Sequence, residues 1–365
     1  MTLRGPARAA FATGAAGALW VLAGYPLALR ALPARPWRRA DETPDITIIV
    51  PAYNEHVALP IKLAAMDDLD YPRERVQVIV AVDADRELAD LARRARPDAL
   101  VSFHPERGGK AAGLARAMAE ATGEIVILTD ANNVLEPGSL RAAARHFADP
   151  SIWAVAGRRG ENESAYDRYE DLIRRLESRS GDVAAMSGEF MAVRRSRLPD
   201  FPQNIVNDDL WLLCTIVREG GRVVYEPEAG SVEEAIDAKA ELARRSRIGA
   251  GRAMLLGELR GLPPGFTVRL LSHKHGRLAL PGFLLLALGG SLVLAPSSRF
   301  MRAAAVGQSA FYGLGAASAA GLEPPGPAGR VARIARQFTL GNVATAMGVV
   351  RAARGRQSVR WESVR

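Results

Sequence analysis

Residues 125–133 read IVILTDANN, an apolar run that ends at Asp130 and Asn132. The length and apolar composition of the run predict a short buried β-strand. Side chains two positions apart share one face of an extended chain, so Asp130 and Asn132 should point the same way. The stretch therefore predicts a buried strand that carries two oxygen-bearing side chains at its tip.

The chain before residue 150 repeats this element, because apolar β-rich runs alternate with stretches of helical patterning. The runs are ITIIV (46–50), VQVIVAV (76–82), ALVSF (99–103) and EIVILT (124–129). Strict alternation of strands and helices predicts an α/β fold. It should contain a mostly parallel, Rossmann-like sheet with helices on both faces.

Polar residues follow all four predicted strands. Ligands of such sheets bind beyond the carboxyl ends of the strands. A single Asp or Asn after a strand is commonly a turn or cap residue, but four strand ends in succession predict a shared site. The candidates are Pro51, Tyr53 and Glu55 after the first strand, Asp83 after the second, Lys110 after the third and Asp130 after the fourth.

The chemistry of these residues suits a nucleoside diphosphate. Oxygens of Asp130 and Asn132 can hold Mg²⁺ or Mn²⁺, which takes its remaining ligands from water and phosphate. Asp83 can accept hydrogen bonds from a base, and Lys110 can place a positive charge near phosphate. The sequence contains neither GxGxxG nor GxxxxGK followed by Ser or Thr, so the usual dinucleotide and P-loop fingerprints do not apply.

A second polar group, Asn207-Asp208-Asp209, opens a predicted helix. One such residue is enough to cap a helix, so three in a row leave carboxylate to spare. Asp209 can remove a proton from an acceptor hydroxyl and make that oxygen a better nucleophile. Asp209, with Asp208 beside it, is therefore the candidate catalytic base.

Two long apolar segments flank this region, at 9–32 and 278–296. Each is close to the roughly 20 residues that a membrane helix needs. The first could instead be a signal peptide, but it is longer than usual and lacks a clear cleavage site. The arginines between Arg30 and Arg39 favour a retained helix and place the following domain in the cytoplasm.

Composition and charge exclude further classes of protein. The net charge is +8, but the arginines gather beside the apolar segments and no basic stripe is interleaved with aromatics, so nucleic-acid binding is not expected. Cys214 is the single cysteine, which excludes an internal disulfide. Within the chain we also expect a charged, exposed helix at 162–180 and surface positions for the histidines His56, His104 and His146.

These observations predict four parts. They are an N-terminal membrane helix with a basic segment (1–40), a cytoplasmic catalytic domain (41–255), an amphipathic segment on the membrane surface (256–277) and a C-terminal membrane region of two or three helices (278–365).

Together the motifs resemble the family 2 glycosyltransferases, and more narrowly their membrane-bound branch of cellulose-synthase-like and hyaluronan-synthase-like proteins. The resemblance covers about residues 45–255 and implies the nucleotide-diphospho-sugar transferase fold. It implies a donor site at VPAYNE (50–55), Asp83, Gly109-Lys110 and Arg247, a metal site at DAN (130–132), an acceptor site at Gly188 and Glu189, and a catalytic base at Asp209.

Three residues depart from the pattern of that branch. Asn132 stands where an aspartate is expected, Arg244 replaces a glutamine and Ile248 replaces a tryptophan. The metal site loses one charge but keeps its oxygen, and the aromatic platform for a bound sugar chain is missing. These departures leave sugar transfer plausible and argue against processive polymer synthesis.

The resemblance implies inverting transfer of a sugar from a nucleotide sugar, with UDP as the expected carrier. The expected acceptor is lipid-linked or a glycan at the bacterial inner membrane, in polysaccharide or cell-envelope synthesis. Two alternatives stay open: a non-catalytic nucleotide-binding membrane subunit of a polysaccharide assembly system, and a sugar nucleotidyltransferase. The sequence makes no prediction of oligomeric state.

Overall fold

A computed structural model describes residues 4–160, 165–202, 207–233, 246, 248–251, 257 and 259–354. These residues fall into two compact units. The α/β unit comprises the described residues of 29–236 and 257–269, and the helical unit comprises those of 1–28, 237–256 and 270–357.

The described part of the α/β unit contains an eight-stranded sheet with the strand order β3-β2-β1-β4-β7-β6-β8-β5. The strands are β1 Ile46–Ala52, β2 Val76–Asp83, β3 Leu100–His104, β4 Ile125–Leu128, β5 Asn133–Leu135, β6 Ile152–Arg159, β7 Met191–Arg194 and β8 Arg222–Glu233.

The first four strands form the parallel half of the sheet, as the sequence predicted. Every residue of β1 is buried, and Ile49 pairs with Ile79 of β2 on one side and with Leu128 of β4 on the other. A strand that is covered on both faces reads as a continuous apolar run, which is why these strands were visible in the sequence.

The second half of the sheet adds antiparallel pairs to the predicted parallel arrangement. Strand β7 is antiparallel to β4 and to β6, and β5 is antiparallel to β8, whereas β6 and β8 are parallel. The sheet is therefore mixed. The sequence did not predict β5 or β6, because β5 is only three residues long and β6 is not followed by the regular alternation that marks the first half.

Among the described residues of the α/β unit, six helices pack against the strands. They are α3 Ala58–Ala65, α4 Arg86–Ala95, α5 Lys110–Ala119, α6 Ser139–Ala144, α7 Ala165–Ser180 and α8 Asp208–Arg218; α1 Arg4–Leu19 and α2 Tyr25–Ala31 precede them. Helix α7 was predicted to be exposed, but its Ile173 and Glu177 side chains are fully buried. The Glu177 carboxylate accepts the backbone N–H of Ala184 at 2.9 Å, which satisfies the buried charge.

The basic segment that precedes β1 is held against the α/β unit. The guanidinium of Arg222 donates to the carbonyl of Arg35 at 2.6 Å. The indole N–H of Trp37 donates to Nδ1 of His146 at 2.8 Å, and Nε2 of His146 lies 2.7 Å from Glu226. His146 is completely buried, which corrects its predicted surface position, and burial lowers its pKa although Glu226 opposes this effect.

In the helical unit, α1 packs closely against a helix that comprises Gly276–Leu294. A side chain at Gly14 would collide with the backbone of Phe283 and Ala287, so glycine is required for this approach. The described part of this unit also contains the helices Arg299–Ala319 and Pro327–Ala353.

Two helical stretches of the described chain are long and apolar enough to cross a membrane, Arg4–Ala31 and Pro264–Ser297. The second one begins with Pro264–Leu270 and passes through a π-helical turn at Leu271–His275 into the 276–294 helix. Helical structure is continuous through residue 277, the predicted boundary between the surface segment and the membrane region.

Candidate active site

The strand tips of the parallel half carry the predicted donor-site residues. Pro51 and Glu55 are buried, and the ring of Tyr53 lies 4.3 Å below the guanidinium of Arg107. Directly after the strands, Asn54 and Ala84 have φ angles of 57° and 55°. Left-handed backbone is uncommon for residues other than glycine, and an alanine there stores strain of the kind found at ligand sites.

The carboxylate of Asp83 shapes the loop that leads to α5. One oxygen accepts the backbone N–H of Gly108 at 2.9 Å, and the other accepts that of Gly109 at 2.8 Å. Gly109 has a φ of 81°, a conformation that glycine adopts without strain. Asp83 therefore fixes the turn from which Lys110 projects, in addition to any contact that it makes with a base.

Lys110 joins two carboxylates from different parts of the chain. Its ammonium lies 2.8 Å from Asp130, at the tip of β4, and 3.0 Å from Asp208, in the first turn of α8. Burial lowers the pKa of Lys110, but attraction to Asp130 and Asp208 outweighs burial and raises this pKa above its ordinary value. The strand-tip acid and the helix-start acid thus face one space.

The predicted acceptor residues lie against Asp130. The backbone N–H of Asp130 donates to the carbonyl of Gly188 at 3.1 Å. A β-carbon at Gly188 would fall 3.0 Å from Oδ2 of Asp130 and 3.3 Å from the Lys110 ammonium. The next residue, Glu189, is buried and pairs with Arg159 at 2.8 Å.

The first turn of α8 separates the roles of its two acids. Asn207 occupies the position before the helix, but its side chain makes no capping hydrogen bond. Asp208 pairs with Lys110, whereas Oδ1 of Asp209 accepts the backbone N–H of Leu210 at 2.7 Å. Asp208, which was predicted only to lie beside the catalytic base, is thus the acid that contacts the strand-tip cluster.

A buried lysine that the sequence reading missed lies beneath this cluster. The ammonium of Lys62 donates to Thr129 and Asn133, on either side of Asp130. Burial lowers the pKa of Lys62 to about 7, although the charges of Asp130 and Glu189 oppose this shift. The sequence does contain an indication that Lys62 is buried, because it follows Leu59 by three residues and so lies on the same buried face of the helix.

The residues at the tip of β4 suit a divalent cation that is shared with a substrate. Asp130 and Asn132 are both half-buried and offer oxygen atoms, the donors that Mg²⁺ and Mn²⁺ prefer. Within the described ranges, no group of three His, Cys, Asp or Glu side chains could hold a metal. A Mg²⁺ site needs only one or two protein ligands when substrate phosphate and water supply the others. The oxygens of Asp130 and Asn132 therefore fit such an ion. Arg247, which the resemblance places at the diphosphate, lies outside the described residues, as does Arg244, whereas Ile248 lies inside them.

The mixed sheet, with its acids at the strand tips, defines a nucleotide-diphospho-sugar transferase fold of the glycosyltransferase A type. The sequence profile of the family described as "Glycosyltransferase like family 2" matches residues 44–247, more than half of the chain. The chain belongs to this family.

A solved structure similar to this chain is the mannosyltransferase PcManGT from Pyrobaculum calidifontis in complex with GDP-Man and Mn²⁺. The TM-score is 0.75 at 26% sequence identity, and the match covers 96% of this chain and 99% of that one.

Two bacterial proteins are similar in sequence. The chain is 31% identical over 222 residues to the probable glycosyltransferase YdaM of Bacillus subtilis (strain 168), covering 54% of this chain and 53% of that protein. It is 27% identical over 215 residues to an N-acetylglucosaminyltransferase of Rhizobium meliloti (strain 1021), covering 51% and 50%. The chain thus matches about half the length of these relatives.

Proposed function

We propose that this chain is a membrane-bound, inverting glycosyltransferase that transfers a sugar from a nucleoside-diphosphate sugar to an acceptor hydroxyl. The observation that carries the proposal is the ion pairing of Lys110 with both Asp130 and Asp208. One ammonium can reach both carboxylates only if the tip of β4, where the donor is proposed to bind, and the first turn of α8 line the same space.

In the proposed reaction, Asp83 and the 108–109 loop hold the nucleotide end of the donor, and Lys110 offsets the charge of the diphosphate. Asp130 and Asn132 would hold a Mg²⁺ or Mn²⁺ ion, which when bound supplies further positive charge to the leaving diphosphate. The same carboxylate of Asp130 pairs with Lys110, so the ammonium can shift toward Asp208 or the phosphates when the donor enters.

Asp209 is the proposed base. Its carboxylate takes the proton of the acceptor hydroxyl, whose oxygen then attacks the anomeric carbon from the face opposite the diphosphate and inverts its configuration. Asp208 is held by Lys110 and has the role of positioning this ammonium. Gly188 leaves room beside Asp130, and Glu189 lines the proposed acceptor side.

The donor is proposed to be a UDP-sugar, as the resemblance implies, and GDP-mannose is the natural comparison because PcManGT was solved with it. Thermal stabilisation of the solubilised chain by UDP- and GDP-sugars separates the two, since only a ligand that binds the folded state raises its stability. Stabilisation by GDP-sugars alone would replace UDP with GDP in the proposal.

A membrane-delivered acceptor, lipid-linked or glycan, is proposed from the two apolar helical stretches at 4–31 and 264–297. The arginines between Arg30 and Arg39 favour a cytoplasmic catalytic unit. Its location at the bacterial inner membrane and its role in polysaccharide or cell-envelope synthesis are proposed from the family resemblance. Within the family, we therefore propose to assign the chain to the membrane-bound branch.

The decisive experiment measures release of the nucleoside diphosphate from the stabilising nucleotide sugar by purified protein in detergent, with Mn²⁺ and with EDTA. Asp209→Asn should abolish turnover and leave donor binding nearly unchanged, whereas the exposed Asp90→Asn should behave as wild type. Turnover by the Asp209 variant would refute the assigned base. Donor binding by the wild type without any release would favour a non-catalytic nucleotide-binding subunit.

A further inference from the structure

Lys62, on α3, has no part in the reaction proposed above, yet it is one of the most completely buried side chains of the α/β unit. It is 1% exposed. Lysine is almost never fully buried unless it is paired, and an apolar side chain of the same length would be cheaper to bury. Burial energy alone therefore does not account for the ammonium at this position.

The ammonium of Lys62 holds both ends of the segment that carries the predicted metal ligands. It donates to the hydroxyl of Thr129 at 2.9 Å, to the carbonyl of Asn133 at 2.8 Å and to Oδ1 of Asn133 at 2.6 Å. An ammonium has three protons, and the three acceptors match them. Asp130 and Asn132 lie between the two residues that Lys62 holds.

The same two residues continue to the opposite side of the site. The carbonyl of Glu189 lies 2.7 Å from the hydroxyl of Thr129 and 2.8 Å from the amide nitrogen of Asn133, which both donate to it. Lys62 thus donates the first hydrogen bonds of a buried network that continues through Thr129 and Asn133 to Glu189. This network joins the tip of β4 to the 188–189 loop, where Gly188 also receives the backbone N–H of Asp130.

We propose that Lys62 is a positioning residue of the donor site, which keeps the 130–132 segment and the 188–189 loop in register through Thr129 and Asn133. This inference rests on the proposed function for its catalytic consequence. Its structural consequence, a coupling between two segments that are distant in sequence, stands independently.

Amide hydrogen exchange of the full chain in detergent, without any ligand, tests the coupling. Lys62→Met should speed exchange in the 129–133 and 188–190 segments together by about tenfold, the effect of losing one hydrogen bond. Leu63→Ala is the matched control, because Leu63 is equally buried on the same helix but serves only the core. Equal changes in both variants, or a change that is confined to α3, would refute the coupling.

Kinetics test the positioning role. Lys62→Met should lower kcat roughly 10- to 100-fold, as expected for misplaced reacting groups, with a much smaller change in donor KM. Leu63→Ala, compared at a temperature where both variants are folded, should keep most of the kcat. A loss of kcat in Lys62→Met that is no larger than in the control would overturn the proposal.

A second variant keeps the test decisive if Lys62→Met does not fold. Thr129→Val removes the hydroxyl that links Lys62 to Glu189 and should accelerate exchange in the 188–190 segment in the same way. Where the double variant folds, its kcat should fall no further than in the worse single variant, because both changes break one network; additive losses would show that the two residues act separately. If the wild type turns over no nucleotide sugar, the proposed function fails, while the exchange pattern still decides the coupling.

Discussion

The ammonium of Lys110 lies 2.8 Å from the carboxylate of Asp130, at the point where β4 ends and the predicted metal ligands begin. The same ammonium lies 3.0 Å from Asp208. Lys110 therefore neutralises two acids that would otherwise repel each other across the candidate active site. A divalent cation at Asp130, as proposed above, would compete with this ammonium for the carboxylate.

Replacement of Lys110 by methionine should destabilise the ligand-free chain, because Asp130 and Asp208 lose their common partner. Added Mn²⁺ should then raise the melting temperature of the variant by more than it raises that of the wild type, since no ammonium competes. Lys110→Arg keeps the charge and should show a response close to wild type. Equal Mn²⁺ responses in Lys110→Met and wild type would contradict the competition.

Gly188→Ala should impair turnover while the fold persists. The added methyl group would lie 3.0 Å from Oδ2 of Asp130 and 3.3 Å from the Lys110 ammonium, so one of these groups must move. We expect kcat to fall about 10- to 100-fold. Gly138→Ala is the control, because nothing lies within 4 Å of its added carbon. Comparable activity in the two variants would show that Gly188 does not limit the space beside Asp130.

Asp83→Asn should weaken nucleotide binding. An asparagine has one acceptor oxygen, so it cannot receive the N–H groups of both Gly108 and Gly109 on separate oxygens as the carboxylate does. We expect about a tenfold loss of donor affinity, measured by calorimetry, together with faster amide exchange at the 108–109 loop. Unchanged exchange in this loop would mean that Asp83 does not hold it.

The buried ammonium of Lys62 should make stability depend on pH. Its pKa falls from the ordinary 10.5 to about 7 in the folded chain. Between these values the unfolded chain binds more protons than the folded one, so the free energy of unfolding rises with pH, by at most about 1.4 kcal/mol per pH unit.

The pH effect can be isolated by comparing melting temperatures of wild type and Lys62→Met from pH 6 to pH 9. The wild type should gain stability relative to the variant as the pH rises above 7, and the difference should level off below pH 7. Parallel curves over the whole range would show that Lys62 keeps its proton throughout.

The parallel half of the fold could be predicted from the sequence because three of its strands, β1, β2 and β4, are largely buried. Such strands are continuous apolar runs, and parallel strands put their carboxyl ends at one edge. The positions of Asp83 and Asp130 at strand ends, and of Lys110 after the loop that follows β3, agree with these two facts. Strand β5 was not predicted because it is only three residues long. Strand β6 was not predicted because it follows the region in which apolar strands and helices alternate regularly.

Other features depend on contacts that no local pattern describes. His146 looked like a surface histidine, but Trp37 and Glu226, which are distant in sequence, bury it. Lys62 lies on a helix face shared with Leu59, and only the fold shows that polar acceptors from β4 and β5 meet it there.

The sequence by itself determined the elements and their chemistry, since hydrophobic periodicity and residue type are local properties that survive in any arrangement of the chain. Only the tertiary structure decided which charges meet. It brought Asp208 rather than Asp209 onto Lys110, and it placed a lysine under Asp130, because pairing in a folded chain depends on distances between segments that lie tens of residues apart.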